Sequence, residues 1–91
     1  MRYLYLAGNG KEGNRVMVSV PKKLFKRAVK RNLLKRRIRE SYRKQKHILK
    51  ADTGVDILLT YSTKEILEYA AIHEMVGNIL TKVNENLNRQ K

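Results

Sequence analysis

Residues 26–46 read KRAVKRNLLKRRIRESYRKQK, and two patterns overlap in them. Basic side chains fill almost every turn, while Val29, Leu34, Ile38 and Tyr42 recur at helical spacing. A disordered polybasic tail has no use for an apolar rhythm. The stretch therefore predicts a folded amphipathic helix from about residue 25 to 49. On a helical wheel Leu34, Ile38, Tyr42, Gln45, Ile48 and Leu49 share one arc, the face expected to pack. Asn32, Lys35, Arg36, Arg39, Arg43, Lys46 and Lys50 share an adjacent arc. From residue 32 to 50 that arc makes a stripe about 27 Å long.

The charge is sided as well as large. The 91 residues carry 21 Lys+Arg against 8 Asp+Glu, a net charge of +13. Fourteen of the basic residues and a single acid, Glu40, lie between residues 22 and 50. Helix surfaces that face only water usually interleave acids so that neighbouring turns attract. Here the repulsion is left standing, which calls for a polyanionic partner whose counterions are released on binding. Arginines 27, 31, 36, 37 and 39 favour forked phosphate contacts over point-charge ones.

The remaining segments predict a small α+β domain spanning 1–91. Residues 2–7, RYLYLA, alternate as a strand does, with Tyr3, Tyr5 and Ala7 on one side and Leu4 and Leu6 on the other. GNGKEGN (8–14) is a loop. RVMVSV (15–20) places Val16, Val18 and Val20 on one face and ends at Pro21, which cannot donate to a ladder. After the basic helix, KADTG (50–54) is a turn and VDILLTYS (55–62) is apolar enough for a central strand. Ser62 and Glu65 stand at capping-box spacing, so a second helix is expected to open there. Tyr69, Ile72, Val76, Ile79, Leu80, Val83 and Leu87 form its apolar face, and NRQK (88–91) is expected to fray. The order ββαβα implies a two-layer sandwich, a small sheet packed on the basic helix and the C-terminal amphipathic helix.

Several function classes find no support. No apolar run approaches the roughly 20 residues of a membrane span, and the start is too short for a signal peptide. There are no cysteines, hence no disulfide framework or thiolate metal site. A soluble protein of the cytoplasm is the expectation, with no membrane partner. No glycine-rich phosphate loop leads into Lys-Ser or Lys-Thr. His47 and His73 stand alone, and Asp52 and Asp56 are split between a turn and a strand. No catalytic group of the protein's own is expected. Tyr3 and Tyr5 share a strand face and are expected to pack in the sheet rather than stack on nucleobases.

Nucleic acid remains as the partner. A major-groove reader would set Asn or Gln along its inserted face, and Asn32 is the one such residue in the stripe. Folded RNA is recognised by shape, phosphates and 2′-hydroxyls. The residues favour RNA and leave duplex DNA as the alternative.

AVKRNLLKRRIRESYR, residues 28–43, resembles the signature helix of the bacterial ribonuclease P protein component. The family pattern Ala-Val-x-Arg-Asn-x-x-Lys-Arg-x-x-Arg-Glu is met at Ala28, Val29, Arg31, Asn32, Lys35, Arg36, Arg39 and Glu40. The pair Lys22 and Lys23 after a Val-rich strand is similar to the family too. Leu33 stands where many members have Arg, Pro21 where most have Ser, and LFKR is longer than the usual linker and lacks its glycine. The family's N-terminal helix and an adjoining segment, about a quarter of a typical member, have no counterpart, so Met1 is expected to be a truncated start. An open strand edge and bare apolar surface around Tyr3, Tyr5, Leu4 and Leu6 are expected in consequence.

The resemblance implies a protein that binds ribonuclease P RNA and assists removal of the 5′ leader from precursor tRNA. The chemistry would reside in the RNA, with Mg2+ held by the RNA and no cofactor held by the protein. The sheet would contact the leader. It places Arg31, Asn32, Lys35, Arg36 and Arg39 on the face for the RNA subunit. With the Lys22 and Lys23 pair, and Arg43 and Lys46 from the stripe, the expected RNA-binding set is Lys22, Lys23, Arg31, Asn32, Lys35, Arg36, Arg39, Arg43 and Lys46. The alternative is a structural RNA-binding protein, a ribosomal protein or an RNA chaperone, with no enzymatic role.

Overall fold

The computed structural model describes residues 1–8, 13–49 and 54–89. Strand β1 runs Arg2–Leu6, β2 Arg15–Ser19 and β3 Asp56–Thr60; helix α1 runs Ala28–Gln45 and α2 Tyr69–Arg89, with one 3-10 turn at Lys46–Ile48 between α1 and β3. This is the expected ββαβα order.

The three strands form one sheet in the order β1-β3-β2. β3 is central because it is the strand whose alternate positions can be buried completely: Ile57 and Leu59 are fully buried. It pairs antiparallel with β1, Leu4 opposite Leu58, and parallel with β2, Met17 opposite Leu58. The parallel pair requires a crossover, and α1 supplies it.

One side of the sheet carries the core. Val20, Ile57, Leu59 and Tyr61 meet Leu34 and Ile38 of α1 and Ile72, Val76, Leu80 and Val83 of α2. Tyr3, Tyr5, Val16 and Val18 pack at its edge. The strand tyrosines thus face inward. Leu4, Leu6 and Met17 are exposed on the opposite side.

Four expectations are corrected. The basic helix starts at Ala28, not near residue 25, because Pro21–Phe25 form a turn in which Leu24 N and Phe25 N donate to Pro21 O. Val29 does not join the apolar face. It lies in the first turn of α1 and is 79% exposed. The apolar rhythm proper begins at Leu34, and its face includes the fully buried Ser41, whose hydroxyl donates to Arg37 O.

The second helix opens at Tyr69 rather than beside Ser62. The buried Tyr61 hydroxyl donates to Glu65 O and accepts from Leu67 N, holding 61–68 in an irregular path. Those bonds draw Glu65 away from the capping role its spacing suggests. Finally, the expected frayed tail is helical through Arg89. Residues 90–91, residues 9–12 of the glycine loop, and residues 50–53 of the KADTG turn with Asp52 and Lys50 lie outside the described residues. Gly8 and Gly13, both at left-handed φ, bracket the first of those connections.

Candidate nucleic-acid interface

Helix α1 has an unfavourable start for an isolated helix. Its N-cap residue, Arg27, makes no side-chain cap, and no acid lies in the first turn. Basic residues near the positive end of the helix dipole are unfavourable. Leu34 and Ile38 compensate by complete burial, so packing holds the helix and its outer surface is left to charge.

On that surface Asn32, Lys35, Arg36, Arg39, Glu40 and Arg43 line one shallow open groove along the helix. The structure therefore brings together five of the nine residues in the predicted RNA-binding set. Among the described residues no acceptor holds Lys35, Arg36 or Arg39. Arg43 differs: its Nε donates to Glu40 Oε2 at 3.1 Å and its Nη2 donates to Glu40 Oε1. Lys44 Nζ lies 3.9 Å from the same carboxylate and 5.6 Å from the centre of the Tyr69 ring. The hydrogen bonds from Arg43 hold the Glu40 carboxyl below the ordinary carboxylate range, and they raise Arg43 in turn.

The other four residues of the set lie apart. Lys22 and Lys23 are exposed in the turn that follows β2. Lys23 borders a separate hollow with Arg2, Pro21, Leu24, Thr60, Tyr61 and Ser62. Lys46 is exposed in the 3-10 turn beyond the end of α1. Arg31 is half-buried and folds back, its Nη1 donating to Phe25 O at 2.8 Å and to Lys26 O at 2.9 Å. It braces the turn that aims the helix.

Arg37 has a similar bracing place that its charge alone does not reveal. Its Nη1 donates to Leu67 O at 2.6 Å, fastening α1 to the irregular segment before α2. The signal in the sequence is its position beside the apolar arc, where a long basic side chain reaches over the core to a polar acceptor.

The outer face of the sheet is a second surface. Leu4, Leu58 and Met17 form a row across all three strands. On one side of the row stand Arg2, Thr60 and Ser19, and on the other Leu6, Asp56 and Arg15. The Arg15 guanidinium grips Asp56 through two hydrogen bonds of 3.0 Å. Tyr3 and Tyr5 pack against the core on the opposite side and are only partly buried, and Tyr5 also borders the shallow hollow of Leu4, Leu6, Met17 and Leu58. His47 is exposed, and His73 stacks at a tilt beside Tyr69. No group of three or more potential metal ligands occurs among the described residues, and no helix there is long and apolar enough to cross a membrane.

The family model described as Ribonuclease P matches residues 2–84. A ribonuclease P protein component from Clostridium kluyveri is 36% identical over 80 residues, covering 87% of this chain and 70% of that protein. One from Porphyromonas gingivalis is 62% identical over 34 residues, 37% of this chain, so the matched stretch spans a quarter (25%) of that relative's length. Among solved structures, the ribonuclease P protein from Thermotoga maritima superposes with a TM-score of 0.74 at 27% identity, covering 88% of this chain and 74% of that one.

Proposed function

The chain belongs to the ribonuclease P protein family, and from that membership we propose that it is the protein subunit of ribonuclease P. In this reading it binds the RNA subunit through α1 and assists cleavage of the 5′ leader from precursor tRNA. The observation that carries the proposal is the groove on α1. It sets Lys35, Arg36 and Arg39, with no acceptor among the described residues, on a helix that leaves them facing solvent. A rigid row of unpaired cations suits the phosphates of a folded RNA, which is recognised by shape.

The outer sheet face supports a second contact, with the single-stranded leader. The apolar row Leu4, Leu58 and Met17 offers a surface for nucleobases, and Arg2 at its border offers a phosphate partner. Lys22 and Lys23 are exposed where the chain leaves β2, and Lys23 shares a hollow with Arg2 and Thr60.

In the proposed division of labour the protein contributes binding and orientation, and the RNA contributes the reaction. Mg2+ belongs to the RNA in this scheme. The described protein residues do not form a metal-binding donor set, so no step is assigned to an ion they would hold. The site of action is then wherever the RNA is, in the cytoplasm.

The test is a cleavage assay with a bacterial ribonuclease P RNA and a precursor tRNA. The expected result is faster release of the leader and a correct mature 5′ end when the protein is added. An RNA that binds the protein yet cleaves no faster would favour a structural RNA-binding role instead.

A further inference from the structure

The cations of α1 fall into two groups. Arg31 is held by the Phe25 and Lys26 carbonyls, Arg37 by the Leu67 carbonyl, and Arg43 and Lys44 by Glu40. Lys30, Lys35, Arg36 and Arg39 are not held by any described residue. What divides the second group from Arg43 and Lys44 is one carboxylate. Glu40 lies four residues after Arg36, three before Arg43 and four before Lys44. It engages only the two that follow it, the favoured order for an acid and a base on a helix.

We propose that Glu40 is a positioning residue for RNA recognition, fixing the Arg43 guanidinium and closing one edge of the phosphate track on α1. The proposal rests on the RNA-binding reading above. Its physical basis is twofold. The Glu40 carboxylate takes the fork of Arg43 formed by Nε and Nη2. The three other N–H bonds of the guanidinium stay available, and their direction is set before RNA arrives. The same carboxylate repels a phosphate that approaches from its own side, toward Lys44. An RNA whose phosphates follow the track of Lys35, Arg36 and Arg39 and meet Arg43 only through its open N–H bonds avoids that repulsion. A flexible polyanion gains nothing from the fixed geometry and loses one cation's worth of attraction. A surface ion pair contributes little to stability, so this role does not depend on folding the helix.

The experiment compares ribonuclease P RNA with polyuridylate as ligands for the wild type, Glu40→Gln, Arg43→Ala and the double variant, each over a range of salt. Thermal melts run alongside and are expected to change little. Glu40→Gln is expected to tighten polyuridylate binding. It should also steepen the salt dependence by about 0.7 in slope, the value for one added phosphate contact on a single strand. Between 50 and 200 mM salt that is about a threefold larger loss of affinity. The ratio of specific to polyuridylate affinity should fall several-fold, and by much less when Arg43 is already Ala. An unchanged ratio and slope would overturn the proposal, as would an equal fall in the Arg43→Ala background. A wild type with no preference for ribonuclease P RNA would overturn the function instead. The polyuridylate slope would then still decide whether Glu40 restrains Arg43.

Discussion

Gly77 of α2 lies directly beneath the Gln45 carboxamide of α1, and a Cβ built on residue 77 would collide with Gln45 Oε1. Gln45 Nε2 donates from that position to His73 O at 2.9 Å and to Ser41 O at 3.2 Å. The two helices thus meet through a polar side chain seated on a glycine. A β-carbon at 77 displaces the amide at its flexible end and breaks those bonds, while the helix gains the propensity of alanine over glycine. The two effects, each about 1 kcal/mol, oppose one another. Gly77→Ala is therefore expected to leave stability within about 1 kcal/mol of wild type. In a Gln45→Ala background the same change should stabilise by about 1 kcal/mol. Urea unfolding of the four proteins checks this, and equal effects in both backgrounds would show that Gln45 does not couple the positions.

The two faces of α1 are expected to separate RNA binding from folding. Arg36→Ala and Arg39→Ala are expected to weaken RNA binding with little change in melting temperature, since both side chains are exposed and unheld. Ile38 is fully buried, and Ile38→Ala is expected to cost about 2–5 kcal/mol of stability. The wild-type affinity should itself fall roughly 10³-fold between 50 and 200 mM salt, the effect of about six phosphate contacts. Melts beside binding titrations test both statements. An unfolded Arg36→Ala or a flat salt response would refute them.

The Glu40 carboxyl should titrate below the ordinary range, chiefly through its hydrogen bonds from Arg43. A carboxyl depressed in the folded state stabilises above its unfolded pKa, and loses that contribution as pH falls through the folded value. Carbon-13 NMR of the Glu40 side chain gives the midpoint directly. Arg43→Ala should move it upward toward the ordinary range, and a midpoint unchanged by that substitution would remove the pair from the account.

The apolar row of the outer sheet face borders an edge strand, β1, whose far side is unpaired among the described strands. Leu4 is 70% exposed and Leu6 66%. Such surfaces invite contact with another chain, while the net charge of +13 opposes it. Raising salt to about 1 M shortens the screening length to about 3 Å and removes much of that opposition. Sedimentation of the 91-residue chain should then show self-association at high salt and a monomer at low salt. A Leu4→Ser, Met17→Ser variant should stay monomeric in both. Association that this variant leaves unchanged would place the contact elsewhere.

Periodicity carried most of the fold. The alternation of RYLYLA and RVMVSV, and the apolar rhythms around Leu34 and Ile72, mark elements whose faces are set by burial, and burial is what hydrophobic spacing encodes. The central place of β3 was legible for the same reason. What escaped were features set by single polar contacts between a side chain and a backbone group. Ser62 and Glu65 stand at capping-box spacing, yet a tyrosine hydroxyl buried next to them captures Glu65 O and Leu67 N. Val29 keeps the rhythm of the core but is exposed in the first turn of the helix. In the interface, the groove from Asn32 to Arg43 was legible from the wheel. The bracing places of Arg31 and Arg37 were not, because a wheel assigns a direction to a long side chain and not an acceptor.

The strand order has a consequence in time. β1 and β2 follow one another in the chain but never touch; each pairs only with β3. The partners Arg15 and Asp56 are 41 residues apart in the chain, and Arg2 and Thr60 farther still, and such distant pairings close slowly. As the chain leaves the ribosome, two strands and the whole of α1 emerge before the strand that joins them. A nascent chain that stops short of Asp56 has no sheet, and its basic segment lacks the packing that holds α1. The surface proposed to meet RNA is thus synthesised before the core that will hold it still.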